Sequence, residues 1–289
     1  MSKLTGDDMD PSLVSLGVAA KVVDPAAAEG AKVAGNLFGR LLGPLADEMG
    51  ASLAEKYRIS NVQRVARRAA RKVALDVEGA VPARVAAAVF DAAQWAEEEF
   101  VTEYLSGVLA SARTSMGQDD RAVAWTALVS RMPTSAIKLH YALYFAFHKL
   151  VEGSEVDSMN DLTDRNFYVG TQAVTEFLND NPEGTLGQDA LNLLDVEGLI
   201  GPVAWGPADY LERVLRRRTF PDPGIVVRAT PRGMSLMLQA FGHSPGEPES
   251  IVHSDLSFSV GELADTGAAP LVATWVDDLP PRSEGLTVI

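Results

Sequence analysis

The sequence contains no cysteine. Without it the chain cannot form disulfides, use a thiolate nucleophile or build cysteine-ligated zinc or iron–sulfur sites. Histidine is scarce as well. His140 and His148 lie eight residues apart on one predicted helix, but no third ligand accompanies them, and zinc needs three or four. We therefore expect both histidines to be core or boundary residues, and we expect no metal and no cofactor.

Long uncharged apolar runs are also missing. Lys21, Lys32 and Arg40 interrupt the most apolar early stretch, and no window of about 18 uncharged apolar residues predicts a membrane-spanning helix. The chain begins MSKLTGDDMDPS, which has acids where a secretion signal has a basic region and an apolar stretch. These features predict a cytoplasmic protein. One alternative is an effector whose apolar segment 31–53 lies on a membrane surface.

Recognisable catalytic motifs are absent from the sequence. It contains no dinucleotide-binding glycine motif, no Walker loop, no His-Glu-x-x-His and no Gly-x-Ser-x-Gly. Acidic pairs such as Asp119-Asp120 and Asp277-Asp278 fall in predicted loops, where we expect them to be solvated. The sequence therefore predicts a protein that is not an enzyme and that acts through binding surfaces, with a protein partner or as a homo-oligomer.

Positive charge is scarce overall, with 25 Lys and Arg against 39 Asp and Glu and a net charge of -14. This balance argues against a general polyanion binder, because phosphates are held by clustered cations. It does not exclude a local basic patch. The distribution of the cations is therefore more informative than their sum.

Cations do cluster in one predicted amphipathic helix near residues 60–77, just after Lys56 and Arg58. Spacing of i, i+3, i+4 and i+7 places its arginines on one face. This face predicts a site for phosphate, nucleic acid, anionic lipid or an acidic partner, or else pairing with acidic helices such as 97–99, within one chain or between copies. The candidate residues are Arg64, Arg67, Arg68, Arg71 and Lys72.

Apolar residues at helical spacing predict a mainly α-helical protein with a smaller α+β part. Helices are predicted at 60–77, at 83–112 with a break near Trp95, at 119–131 and at 134–151. A linker is predicted after Gly153, and from Phe167 the predicted order is helix, helix, strand, strand, helix. The strands include 225–227, and a long insertion at 203–224 separates them. A further strand is predicted at 251–260.

These patterns divide the chain into four predicted segments. They are a flexible N-terminal arm at 1–30, a helical domain at 31–152, a winged-helix-like domain at 160–262 and an acidic C-terminal tail at 263–289.

Three apolar helical motifs occur in order along the chain: LLGPLADEMGASLAEKYRISNVQRV (41–65), EEEFVTEYLSGVLASA (97–112) and ALVSRMPTSAIKLHYALY (127–144). In this order they resemble the abortive infection alpha (Abi-alpha) family. That family often continues into a winged-helix-like end, which Leu191–Ile200 and Val226–Leu236 resemble. The resemblance spans roughly residues 37–240. It implies a bacterial antiviral defence role, abortive infection, and supplies no catalytic residues.

A winged-helix-like domain raises the alternative of a DNA-binding regulator, because its second helix normally enters the major groove. The candidate helix 187–197 contains Asp189, Asp195 and Glu197 but no cation, and carboxylates repel phosphates. We therefore predict a folding or protein-contact unit. A secondary basic patch keeps nucleic acid as an alternative partner: Arg213, Arg216, Arg217 and Arg218.

Overall fold

A computed structural model of the chain describes residues 60–73, 79–180, 185–216, 218–243, 247–261 and 270–281. The predicted arm 1–30 and the apolar segment 31–53 lie outside these residues, as do Lys56, Arg58, Arg217 and most of the predicted tail 263–289.

The first half of the described chain is helical, as the apolar spacing predicts. Pro82 and Pro133 stand directly before two of the helices, where the missing N–H of proline costs nothing. The predicted break near Trp95 is confirmed, because one helix ends at Ala93 and the next begins at Glu99. The helices are α1 (Ser60–Lys72), α2 (Ala83–Ala93), α3 (Glu99–Ser111), α4 (Ala122–Arg131) and α5 (Thr134–Val151).

The predicted linker after Gly153 contains one more short helix, α6 (Met159–Thr163). Its start is fixed by a capping box, in which the side chains of Ser158 and Asp161 each bind the other's backbone N–H. Leu162 is buried against the core. Val156 and Met159 are partly buried against the same core. These few apolar side chains attach the segment, and hydrophobic periodicity does not detect them.

The second half contains a four-stranded antiparallel sheet in the order β2-β3-β1-β4. Phe167, Tyr168 and Val169 are buried in the strand β1, so the prediction of a helix from Phe167 was wrong. Tyr168 lies opposite Val226 in the register of β1 and β3. The strands are β1 (Asn166–Gly170), β2 (Ala204–Gly206), β3 (Gly224–Arg228) and β4 (Thr274–Trp275).

Helices connect these strands. The predicted insertion 203–224 contains β2 and a short helix, and Thr230 caps the last helix by accepting a hydrogen bond from the Gly233 N–H. The helices are α7 (Thr171–Leu178), α8 (Leu186–Val196), α9 (Ala208–Leu215) and α10 (Pro231–Phe241). The strand predicted at 251–260 was wrong, since a 3₁₀ turn at Pro248–Val252 and irregular backbone occupy that stretch.

One apolar core extends through both predicted domains, from Val62 on α1 to Trp275 on β4. Tyr104, Tyr141 and Phe147 are among its largest fully buried side chains. A smaller cluster around Tyr168 and Leu211 lies on the other face of the sheet. The fold is therefore mainly α with a small α+β part. In the part of the chain that the structure describes, no helix has both the length and the apolar character needed to cross a membrane.

Candidate functional site

The structure divides the predicted basic face of α1 between two environments. Val62, Val65 and Ala69 bury the apolar side of this helix, which packs on α3. Arg64, Arg68 and Lys72, spaced four residues apart, lie along the boundary with α3, whereas Arg67 and Arg71 are exposed. The five candidate cations therefore do not form one surface. Only Arg67 and Arg71 are open to a partner.

Arg68 and Lys72 form a clamp with Glu99 and Glu103 of α3, here called the α1 clamp. Arg68 pairs with Glu99 and, at 3.1 Å, with Glu103, while the Lys72 Nζ lies 2.5 Å from Glu103 Oε1. The Lys72 Nζ also donates to the carbonyl oxygen of Ala240 on α10, at 2.9 Å. The Glu103 side chain is only 8% exposed, so these cations take the place of water as the partners of its carboxylate. The clamp thus ties α1 to both α3 and α10.

Burial also perturbs the Lys72 ammonium. It lowers the pKa of Lys72, although the nearby Glu103 carboxylate acts in the opposite direction. The ammonium lies 5.1 Å from the centre of the Phe241 ring, a distance at which cation–π attraction operates. Of the two interpretations of the basic face, pairing within the chain accounts for Arg68 and Lys72.

Arg64 has a different role, because it holds the backbone of the loop between α2 and α3. Its guanidinium donates to the carbonyl oxygens of Ala96 at 2.6 Å and Glu97 at 3.0 Å. The Asn61 side chain donates to the Gln94 carbonyl at 3.3 Å, and the buried Thr102 hydroxyl donates to the Ala96 carbonyl at 3.2 Å. Residues 94–98, here called the Trp95 loop, are therefore fixed by side chains from both α1 and α3.

The Trp95 loop presents its aromatic side chain to solvent. Trp95 is 85% exposed, more than any other large apolar side chain that the structure describes. Glu97 and Glu98 are exposed too, while Ala96, between Trp95 and Glu97, is buried. A large apolar ring on a fixed loop, beside two carboxylates, has the features of an anchor for another macromolecule.

A buried polar network involves the first of the two histidines. The His140 Nδ1 lies 2.7 Å from the Tyr104 hydroxyl and its Nε2 lies 3.1 Å from the Gly233 carbonyl oxygen. Because that carbonyl only accepts, Nε2 carries the proton and Nδ1 accepts from Tyr104. Burial lowers the pKa of His140 to about 3 and raises the pKa of Tyr104. Both groups are neutral and occupied by contacts that join α3, α5 and α10.

The second histidine is a core residue as well. His148 is buried, and its Nδ1 donates to the Ile251 carbonyl oxygen at 2.7 Å. Burial lowers the pKa of His148. Over the described residues, no group of three or more His, Asp or Glu is placed to hold a metal ion.

Helix α8, the candidate recognition helix, presents polar, acidic and apolar side chains to solvent. At its C-terminal end the Glu197 carboxylate accepts from the Arg131 guanidinium in a bidentate pair and lies 3.8 Å from Arg232. The hydrogen bonds from Arg131 hold the pKa of Glu197 below its usual range. The exposed residues of α8 are Leu186, Gln188, Asp189, Asn192, Asp195 and Val196.

The secondary basic patch is also divided. Arg218 donates to the Leu279 carbonyl oxygen at 2.9 Å and lies 3.9 Å from Asp277. It therefore holds the last described segment against the segment that follows α9. Arg213 and Arg216 are exposed, and the Arg213 guanidinium lies 5.9 Å from the centre of the Tyr210 ring. Arg217 lies outside the described residues.

Two of the cavities that the described residues form open at the surface. One, of about 460 Å³, lies between α4 and α10 beside Trp125, and its charged pair Asp119 and Arg121 is mutually hydrogen-bonded. The other, of about 1000 Å³, is an open acidic depression beside Glu176, Asp180 and Asp222. Neither cavity brings together a set of polar groups that fits a particular ligand.

Sequence reasoning located the cations of α1 and the break at Trp95, but it did not identify that loop as a candidate site. The one available signal was a tryptophan in a predicted break directly before Glu97-Glu98-Glu99. Comparison of the chain with family models, with curated proteins and with solved structures gives no match. Any functional assignment therefore depends on the surfaces described above and on the sequence motifs.

Proposed function

We propose that this chain is a non-enzymatic phage-defence protein that acts by binding a protein partner through the Trp95 loop. The defence setting is supported by the resemblance to the abortive infection alpha family. The binding mode is supported by one observation above all, the 85% exposure of Trp95 on a loop fixed by Arg64, Asn61 and Thr102. Tryptophan is enriched among the residues that contribute most to protein interfaces, and a fixed loop loses little entropy on binding.

We propose further that the second half of the described chain is a winged-helix-like unit used for protein contact, in which α8 corresponds to the recognition helix. The sheet order β2-β3-β1, with α7 and α8 between β1 and β2, supports this proposal. The exposed side of α8 has Asp189 and Asp195 and no cation. Carboxylates there oppose the approach of phosphates and favour a protein surface.

The proposal that the chain is not an enzyme is supported by its buried titratable groups, which are already hydrogen-bonded to other parts of the core. Both ring nitrogens of His140 are hydrogen-bonded and the residue is fully buried. The hydroxyl of Tyr144 accepts from the Thr230 N–H and contacts the Leu199 carbonyl, also in the core. These groups hold elements together and are shielded from any substrate.

A phage-plating assay tests the proposal. Cells expressing the wild type should plate phage less efficiently than cells with an empty vector, and Trp95→Ser should abolish the difference. Val272→Ser is the matched control, because Val272 is 81% exposed at a different site and its loss should leave protection intact. A wild type without protection refutes the defence role. Full protection by a folded Trp95→Ser variant refutes the binding loop.

A DNA-binding regulator is the second candidate, favoured by two exposed arginines: Arg213, which lies beside Tyr210 on α9, and Arg216, directly after that helix. Fluorescence anisotropy with labelled duplex DNA tests it. Binding should weaken steeply with salt and weaken further in an Arg213→Glu/Arg216→Glu variant. A flat titration at low salt excludes this candidate.

A further inference from the structure

The Trp95 loop and the exposed side of α1 are neighbours that form one surface with two oppositely charged halves. They are held side by side by the contacts of Asn61 and Arg64 with the loop backbone. The acidic half has the exposed Glu97 and Glu98, and the basic half has the exposed Arg67 and Arg71. Among the described residues, none of these four side chains enters an ion pair.

Charges arranged in this way are complementary to themselves. In a two-fold dimer both copies use the same surface. Each contact between the acidic half of one copy and the basic half of the other therefore occurs twice. An acidic partner would match only the basic half, and a basic partner only the acidic half. A second copy matches both, and the two Trp95 rings supply the apolar area that exposed ion pairs alone do not provide.

We infer that this surface, consisting of Trp95, Glu97, Glu98, Arg67 and Arg71, binds a second copy of this chain in a two-fold dimer. Trp95 is the apolar anchor, and the α1 arginines of each copy pair with the loop carboxylates of the other. The inference does not depend on the defence role, because self-association is a property of the purified chain.

Charge reversal with mixing is the decisive experiment, since exposed residues are changed and the α1 clamp is left intact. Sedimentation velocity should show a wild-type dimer. Arg67→Glu/Arg71→Glu and Glu97→Arg/Glu98→Arg should each be monomeric, because like charges then face each other twice. An equimolar mixture of the two variants should restore a dimer, since every contact in the heterodimer is again between opposite charges. Arg213→Glu/Arg216→Glu is the control for added charge and should still dimerise.

The anchor is tested with the same instrument. Trp95→Ser should weaken the dimer by at least about 30-fold, the change expected for an interface hot spot. Its melting temperature should equal that of the wild type at concentrations low enough for both to be monomeric, because dimerisation itself stabilises the folded chain. A wild type that is monomeric, a charge-reversed variant that still dimerises, or a mixture that stays monomeric would each overturn the inference. A monomeric wild type that protects cells only when Trp95 is present would overturn the dimer and leave the proposed function standing.

Discussion

Gly107 of α3 lies against the backbone of Ala240 of α10, so closely that a Cβ at Gly107 would come 1.7 Å from the Ala240 carbonyl oxygen. One turn along α3, the Ser111 hydroxyl donates to the Gln239 carbonyl at 3.0 Å. The two helices belong to segments predicted as separate domains, 31–152 and 160–262. Their close approach makes them parts of one packing unit.

Gly107→Ala should therefore destabilise the whole described fold. Alanine is the better helix former by about 1 kcal/mol, but here the steric conflict with backbone atoms should outweigh that gain. We expect the free energy of unfolding to fall by about 1–3 kcal/mol or more, which urea denaturation followed by circular dichroism measures. Because α3 and α10 share one core, the loss should appear in a single cooperative transition.

Gly187 of α8 is the matched control and should respond in the opposite direction. The nearest atoms to an added Cβ are those of Val174 and Leu178 at 3.8 and 3.9 Å, which is ordinary contact. Gly187→Ala should leave the packing intact and stabilise the chain by up to about 1 kcal/mol through helix propensity. If the two alanine variants were equally stable in urea, the close contact at Gly107 would be disproved.

The helices of the first half could be predicted from sequence, because their apolar periodicity agrees with their burial. Val85 and Val89 of α2 and Val108 of α3 recur at helical spacing, and all three are fully buried. The break between these helices at Trp95 could be predicted for the same reason. Local pattern and tertiary packing give the same answer there.

Strands were less predictable, because their partners lie far away in sequence. The apolar residues at 167–169 fit a helix or a strand equally, and their pairing with 225–227 decides the outcome. The alternation at 251–260 has no such partner among the described strands, and Pro248 begins a 3₁₀ turn instead. The helix α9 was missed inside an insertion, although Leu211 and Leu215 are spaced as in a helix.

The candidate site could be predicted only in part. Helical spacing correctly grouped the cations of α1 on one helix. Which of these cations contact the rest of the protein depends on the positions of Glu99, Glu103 and Ala240. The last of these lies 168 residues from Lys72. A single tryptophan does not reveal from sequence whether it will be buried or exposed, so Trp95 became a candidate only when its exposure was known.

The stability of the fold should depend on pH through His140. Burial lowers the pKa of His140 to about 3, whereas a histidine in the unfolded chain titrates near 6.5. Below about pH 6.5 the unfolded chain therefore binds a proton that the folded chain does not. The contribution of His140 to stability is complete above that pH and is lost as the pH falls, by about 1.4 kcal/mol per unit for one full proton.

His140→Gln tests this linkage, because glutamine retains a donor and an acceptor but does not titrate. Urea denaturation at about pH 6 and pH 5 should show a slope of unfolding free energy against pH that is smaller by about one proton than in the wild type. His148, whose pKa burial also lowers, should account for part of the remaining slope. Equal slopes in variant and wild type would mean that His140 is accessible to protons in the folded chain.

Two adjacent arginines of α1 should differ sharply when each is replaced by methionine, which keeps the long side chain and removes the charge. Arg68→Met leaves the Glu103 carboxylate, 8% exposed, with Lys72 as its remaining cation. Loss of hydrogen bonds to a buried charged acceptor should lower the unfolding free energy by about 1–3 kcal/mol. Arg67→Met changes an exposed residue and should stay within about 0.5 kcal/mol of the wild type.

The same pair of variants separates the two uses of the α1 cations. If Arg68 acts within the chain and Arg67 between copies, Arg68→Met should lower the stability of the monomer. Arg67→Met should weaken the dimer and leave the stability of the monomer unchanged. Salt should distinguish them further, because exposed pairs are screened more than partly buried ones. Raising salt should therefore dissociate the wild-type dimer before it affects unfolding. Equal losses of stability in both variants would instead mean that the cations of α1 form one continuous surface. That result would contradict the separation of Arg68, which contacts α3, from the exposed Arg67.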